Sequence, residues 1–379
     1  MACIQYQVLI GLHSVQALKL TLIMTRCYNF LGNYSKEEYA DKSSAGKAGR
    51  FMATIREVAQ LAGVSPATVS RVMNGTAKVD EEKRKRVEDA IRETGFMPNK
   101  LARALFKNSS GLIGLIVPNI ENPFFNELAR VIEEEAYGGG LHIVLCSSGN
   151  NTQKEADNIH MLEQMKADGI ILITNGDHTE SMIEKCPLPV IVVDRHITGS
   201  GEVAHIEADH YKGGRLAAQF LVDCGCRRIV CLRGPQEFTS GRLRYQGYCD
   251  VCRENGLPER YVNTRYSFEA GTEAAEEMLD RFPEVDGIVA ANDMVAISSY
   301  KVLRSKGIRV PEDIQIVGFD DISFSSLVSP ALTTIHQPIA EMGRKAVDII
   351  FRYAEGREYS EKNVFDVRLV ERETTMRKK

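Results

Sequence analysis

From Gly111 onward, short unbroken apolar runs alternate with amphipathic stretches. LIGLIV at 112–117, HIVLC at 142–146, GIILIT at 169–174 and VIVVD at 190–194 form a first set. RIVCL at 228–232, GIVAA at 287–291 and IQIVGF at 314–319 form a second. Apolar, β-branched runs without polar alternation mark strands covered on both faces, the condition of a parallel sheet. Between them Phe125–Tyr137, Tyr211–Val222, Arg242–Asn255 and Ala274–Leu279 read as helices. The grouping predicts two doubly wound lobes. Ligands of such sheets bind outside the carboxyl ends of the strands, so two facing lobes predict a crevice at their interface.

Ahead of this body the charge changes sign. The whole chain carries −4, yet residues 52–110 hold 11 Lys+Arg against 7 Asp+Glu, and residues 1–51 hold 6 against 3. The remainder holds 30 against 41. A basic front on an acidic body predicts a polyanionic partner for the front. Hydrophobic residues at 44% and charged residues at 26% exclude a disordered or collagen-like chain. Nine Cys, an odd number in a chain of 379 residues, read as reduced thiols of a cytoplasmic protein and not as a secreted disulfide framework.

The first fifty residues differ from the rest. Gln5, Gln7, His13, Gln16 and Lys19 interrupt the apolar stretch from Ile4 to Met24, making it too polar for a membrane span of about 20 apolar residues. A signal peptide begins with basic residues, and the first charge here is Lys19. Residues 35–50, SKEEYADKSSAGKAGR, read as a flexible connection. Residues 1–51 are therefore expected to be disordered or to lie outside the native start, and a well-formed domain begins at Met52.

That domain reads as a helix-turn-helix. Thr54 and Glu57 have capping-box spacing, and Ile55, Val58, Ala59 and Ala62 follow on one helical face. Gly63 suits a turn, Ser65 an N-cap and Pro66 a first helical position. Val69, Val72 and Met73 face inward, Asn74-Gly75 ends the helix, and a third helix runs from near Asp80 to Gly95. An ordinary three-helix bundle would show the same apolar faces. What separates the two is the top of the second helix, where Ser65, Ala67, Thr68, Ser70 and Arg71 offer short hydroxyls and one Arg for phosphates and base edges.

Residues 54–75, TIREVAQLAGVSPATVSRVMNG, closely resemble the DNA-binding headpiece of the lactose-repressor family. The similarity covers residues 53–375, and two further segments carry it: Pro98–Leu105, PNKLARAL, and Thr334–Pro338, TIHQP. The resemblance implies an all-α headpiece at 52–97, a hinge helix and linker at 98–110, and a two-lobed α/β core of the periplasmic-binding type at 111–379. It implies major-groove reading by Pro66, Ala67 and Arg71. Arg71 can pair with guanine O6 and N7, while Pro66 and Ala67 are small and apolar. The implied DNA-contacting set is Thr54, Ser65, Pro66, Ala67, Thr68, Ser70, Arg71, Asn74, Asn99, Ala102, Arg103 and Leu105. In it Leu105 wedges between base steps of the minor groove and kinks the duplex.

In the body, residues at strand ends are the site candidates. Asn119–Phe125 follows the first strand, Asp194-Arg195 the fourth, and Arg242, Asn292-Asp293 and Asp320 sit near the second set. Each has a plain structural role open to it, as a helix cap or a surface ion pair. Their convergence, with aromatic rings beside them, suits a sugar: polar groups bond hydroxyls and a ring covers the apolar face. The resemblance implies an effector set of Asn122, Phe124, Phe125, Asp194, Arg195, Arg242, Phe268, Asn292, Asp293 and Asp320. Asn122–Phe125 and Asp194-Arg195 resemble the ribose-binding members. A homodimer is expected, because the lactose-type tetramer uses a C-terminal apolar heptad tail and this chain ends ETTMRKK.

Other chemistry is weak. Cys249 and Cys252 have C-x-x-C spacing but fall inside a helical stretch, so no metal and no cofactor is expected. Lys212-Gly213-Gly214 lacks the upstream glycine of a phosphate loop, and no H-E-x-x-H or G-x-S-x-G pattern occurs. An enzyme would need a nucleophile–base constellation that is not legible here. A secreted transport binding protein shares the two-lobed body, but not the headpiece. The expected function is a DNA-binding repressor controlled by a small sugar, ribose or a related pentose, that releases the operator. The alternatives are a member of the same family responding to another sugar or a purine, or a carbon-catabolite regulator using a serine-phosphorylated phosphocarrier protein.

Overall fold

The computed structural model describes residues 53–75, 79–96, 109–174, 180–194 and 203–377. Two compact units divide the chain, one reaching Pro98 and the other starting at Asn99. In the first, α1 spans Ile55–Ala62, α2 Pro66–Asn74 and α3 Glu81–Thr94. Local chemistry sets these boundaries. The Glu57 N–H donates to Thr54 Oγ1 at 3.3 Å, while Glu57 Oε2 accepts from the Thr54 N–H at 2.6 Å. This reciprocal pair occupies donors that a helix start leaves unpaired. Gly63 ends α1 at φ 63°, a left-handed conformation open to a residue without Cβ. Ser65 Oγ then accepts from the Thr68 N–H at 3.2 Å, and Pro66 opens α2. Val58, Ala59, Ala62, Val69, Val87 and Ala90 form the core, with Val72 and Met73 packed against it.

The second unit begins with β1 (Leu112–Val117), α4 (Pro123–Gly138), β2 (His142–Ser147), α5 (Thr152–Gln164), β3 (Gly169–Leu172), α6 (Glu180–Ile183), β4 (Val190–Val193) and β5 (Ala204–Ala208). The chain then crosses into a second lobe. This consists of α7 (His210–Asp223), β6 (Ile229–Arg233), α8 (Thr239–Glu254), β7 (Arg260–Asn263), α9 (Phe268–Arg281), β8 (Gly287–Ala290), α10 (Asp293–Ser305), β9 (Gln315–Asp320) and β10 (Thr333–His336). It returns to the first lobe as α11 (Ile339–Ala354) and β11 (Lys362–Phe365), and ends on the second as β12 (Arg368–Val370). The sheets are ordered β11-β5-β4-β3-β1-β2 and β12-β10-β9-β8-β6-β7. Every pairing is parallel except β10 with β12.

Of the seven strands with unbroken apolar runs, β1, β3, β4, β6, β8 and β9 are buried almost throughout, whereas β2, expected to be covered on both faces, is a partly exposed edge strand with Leu145 open to solvent. Helices cover both faces, as a parallel sheet requires. Five strands, β5, β7, β10, β11 and β12, carry no such run; they are strands because a neighbour supplies the ladder. Lys212-Gly213-Gly214 serves packing. A Cβ at Gly214 would lie 2.0 Å from the Arg244 carbonyl oxygen, and one at Gly247 would lie 2.3 Å from that of Tyr211. These two glycines let α7 and α8 touch backbone to backbone, which fixes where Arg244 sits. Cys249 and Cys252 are buried in the same helix, and burial pushes the Cys249 thiol up to about 12.

Candidate functional site

In the helical unit Ser65, Pro66, Ala67 and Arg71 are exposed on α2, with Thr68 and Ser70 half-buried. Ala67 and Arg71 are four residues apart and share a face. Thr54 is exposed, but its hydroxyl is committed to the cap. Asn99, Ala102, Arg103, Leu105 and the side chain of Asn74 lie outside the described residues, as does Arg195.

In the second unit a narrow, nearly closed cleft with a free volume of about 20 Å³ lies at the carboxyl ends of the strands of both lobes. The first lobe contributes Asn122, Phe124, Phe125 and Asp194, and the second Ser240, Arg244, Tyr266, Asn292 and Asp320. Gln337, in the segment that crosses back, completes the lining. Caps place two of these groups. Asn122 Oδ1 accepts from the Phe124 N–H at 3.1 Å and Asn292 Oδ1 from the Val295 N–H at 3.0 Å, so each starts a helix and keeps its Nδ2 protons for other use. Phe124 and Phe125 meet edge to face at 5.5 Å. Asp194 and Asp320 hold positive φ, 66° and 113°, an uncommon conformation for residues with a Cβ.

The charges converge on Arg244. It donates from Nη1 to the Ala291 carbonyl at 2.8 Å, lies 3.6 Å from Asp320 Oδ1, and stacks 3.6 Å over the Phe319 ring. Gln337 Nε2 donates to Asp320 Oδ1 at 2.7 Å. Burial pushes the Asp320 carboxyl well up, against the pull of Arg244, and the nearby Asp293 and Asp194 add to the rise. Asn292 Nδ2 and Gln337 Oε1 have no hydrogen-bond partner among the described residues. Leaving such buried groups unpaired costs about 1–3 kcal/mol each, which argues for a ligand between them. A larger groove of about 680 Å³, lined by Arg233, Arg265, Glu237, Glu273 and Glu277 among others, opens elsewhere on the second lobe. Its mixed charges do not converge, so the cleft is the better candidate.

Three expected members of the effector set are not in the cleft. Arg242 is exposed and directed to Gln236 O and Thr239 Oγ1. Arg244 takes its place, because two residues along a helix turn the side chain by roughly 200°. The stripe Ser240, Arg244, Tyr248, Val251 and Cys252 carries the inward face of α8, and stepping back by four from Tyr248 was the signal available in the sequence. Phe268 opens α9 after its cap Ser267 and lies under Lys301 Nζ at 4.9 Å, while Tyr266 reaches the cleft from the preceding loop. Asp293 is fully buried behind the wall and holds it together: it accepts from Ile322 N–H at 3.0 Å, Ser325 Oγ at 2.6 Å and Thr334 Oγ1 at 2.5 Å. Ser240 and Gln337 were not expected; nothing in their local sequence marks them as lining groups.

Comparison with known proteins meets this geometry. The model for bacterial regulatory proteins of the lacI family matches residues 54–99, and the periplasmic binding protein-like domain matches residues 218–375. The ribose operon repressor of Halalkalibacterium halodurans is 35% identical over 325 residues, 86% of this chain and 97% of that one. The chain belongs to the LacI family of bacterial regulatory proteins. The lac repressor dimer bound to operator and the anti-inducer ONPF shares the fold with a TM-score of 0.77 at 28% identity, covering 85% of this chain and 98% of that one. A LacI-family regulator from Enterococcus faecium with bound ribose superposes with a TM-score of 0.64 at 28% identity, covering 71% of this chain and 100% of that one. As a LacI-family repressor the chain places its helix-turn-helix in the first unit and its periplasmic-binding-like body in the second. Among the described residues no helix is long and apolar enough to cross a membrane.

Proposed function

We propose that the protein is a homodimeric repressor whose operator affinity is lowered by a small neutral sugar, a pentose of the ribose type, bound in the interlobe cleft. The observation that carries this is the lining itself. Asp194 and Asp320 can each accept from hydroxyls, and Gln337 Oε1 adds an acceptor. Arg244, Asn122 Nδ2 and Asn292 Nδ2 can donate, and three aromatic rings cover apolar faces. With Asp194 and Asp320 beside its single guanidinium, the cleft has no surplus positive charge for a phosphorylated ligand. The ribose operon repressor relative and the ribose-bound neighbour point the same way. Exposed Phe324 and Leu327, 51% and 75% accessible, offer an apolar patch for a second copy.

The test is to titrate D-ribose into the protein alone and into its operator complex. By linkage, a sugar that weakens operator binding is itself bound more weakly by the complex, and a coupling of about 1–3 kcal/mol is typical. Identical ribose affinities in the two titrations would exclude control by that sugar. Independently, ribose at about 100 times its Kd should add roughly 2.7 kcal/mol to unfolding stability.

For the headpiece, Arg71→Ala is expected to cost about 1–3 kcal/mol on operator DNA and to relax selectivity at one base pair. An electrophoretic shift series on operator and random duplexes measures this. Equal losses on both would reduce Arg71 to a phosphate contact.

A further inference from the structure

The chain passes from one lobe to the other at Asp209–His210, at Gln337–Pro338 and at Asp366–Val367. His210, the first residue of α7, is buried with 1% of its surface accessible and is not among the residues lining the cleft. Its ring nonetheless touches both walls. Nε2 lies 3.3 Å from the Asp194 carbonyl oxygen on the first lobe, and Nδ1 lies 3.3 Å from Arg244 Nε on the second. An arginine Nε always carries its proton and can only donate. Nδ1 must therefore accept, which leaves the ring proton on Nε2, facing the Asp194 carbonyl. Both bonds are satisfied by one neutral tautomer and by no other protonation state.

Each bond acts on a group the cleft needs. Arg244 uses Nε on His210 and Nη1 on Ala291 O, so its plane is set and its remaining N–H groups are aimed by those two anchors. Asp194 holds its left-handed backbone with its N–H on Ile206 O and its carbonyl on His210. The ring also packs against Phe319, the same ring that Arg244 stacks on, with centroids 6.0 Å apart. Burial, reinforced by Arg244, lowers the imidazole's tendency to protonate, although the Asp194 carbonyl pulls the other way.

We propose that His210 is a positioning residue that sets the Asp194 wall and the Arg244 wall in register across the first hinge, as the neutral tautomer protonated on Nε2. The proposal rests on the reading of the cleft as the sugar site. It also means that a ligand bonded to both walls is felt directly at a residue through which the lobes are joined.

Two measurements on the full chain test it. In the ligand-free protein, nitrogen NMR of labelled histidine, with His210 assigned by its loss in His210→Asn, should show a neutral ring with its proton on Nε2. A proton on Nδ1, or a charged ring, would overturn the proposal because Arg244 could not then donate to it. Calorimetry with D-ribose then compares the parent, His210→Phe and His210→Asn. Phe keeps the ring and loses both bonds, and should weaken ribose binding roughly 10- to 100-fold. Asn keeps one acceptor and one donor, and should recover most of that loss. A merely structural role would lower the unfolding midpoint of His210→Phe and leave its ribose affinity equal to the parent's, which counts against the proposal. If the parent itself shows no heat with ribose, the pentose reading fails, and the tautomer result still decides whether the ring can join the two walls.

Discussion

Arg244→Ala is expected to loosen ribose binding by roughly 1.5 to 3.5 decades, while Arg242→Ala leaves it within about twofold. The Arg244 side chain is only 11% accessible and lies against Asp320, Ala291 O and the Phe319 ring. It is the one cation among the described cleft residues. Arg244 pairs with Asp320 at 3.6 Å and bonds Ala291 O and His210 Nδ1; removing one partner of a buried charge pair costs about 2–5 kcal/mol, much of it from the charge left behind, and each 1.4 kcal/mol is tenfold in Kd. Here Asp320 would keep only the Gln337 Nε2 donor, beside Asp194 and without a cation. Arg242, two residues away, is exposed on the opposite side of α8. Calorimetry on the two variants, with urea unfolding as the control for folding, separates them. The reverse ranking would show that Arg242, and not Arg244, faces the ligand.

Asp293→Ala is expected to destabilise the protein by about 3–5 kcal/mol, since it strands three buried donors, Ile322 N–H, Ser325 Oγ–H and Thr334 Oγ1–H. With total stabilities of about 5–15 kcal/mol, that is a large fraction of what holds the fold. The urea midpoint reads this loss; a midpoint within error of the parent's would show that the three donors find other partners. The same carboxyl makes stability depend on pH. Burial pushes it up from 3.8 to about 7, although the three donors oppose the rise, and Asp321 adds to it. A carboxyl that keeps its proton to higher pH when folded than when unfolded favours the folded state at low pH. Its contribution is fully present below about 4 and is lost as the pH rises through about 7. Urea midpoints at pH 5 and pH 8 should therefore fall with rising pH more steeply in the parent than in Asp293→Asn. Equal slopes would remove Asp293 from the account.

Much of the architecture could be read without coordinates. The caps Thr54, Ser65 and Asp80 mark the starts of α1, α2 and α3, because a cap is a bond between residues two or three apart and needs nothing from the rest of the chain. The buried strands β1, β3, β4, β8 and β9 announce themselves by apolar runs. Their carboxyl ends point to Asn122, Asp194, Asn292 and Asp320, all of which line the cleft. Strands such as β11, KNVF, were not legible, because Lys362 and Asn363 look like loop residues until His205 and Ile206 offer a ladder more than 150 positions away.

Local units are thus written in neighbouring residues: where helices start, where the strands of the two sheets run, and which strand ends a ligand could approach. A helical period of 3.6 residues, unbroken apolar runs and bonds between near neighbours are enough for that. Only the tertiary structure decided which side chain at each place faces the ligand. Arg244 rather than Arg242 faces the cleft because Gly214 and Gly247 bring α7 and α8 into backbone contact and so fix the rotation of α8. Asp293 turns behind the wall while its neighbour Asn292 stays on it, because Ser325 and Thr334 arrive from later in the chain to bond its carboxylate. His210 and Gln337 matter because the chain changes lobes where they stand. Those choices are made by contacts between residues far apart in the chain, and only that of Arg244 leaves a local trace, the spacing of four to Tyr248.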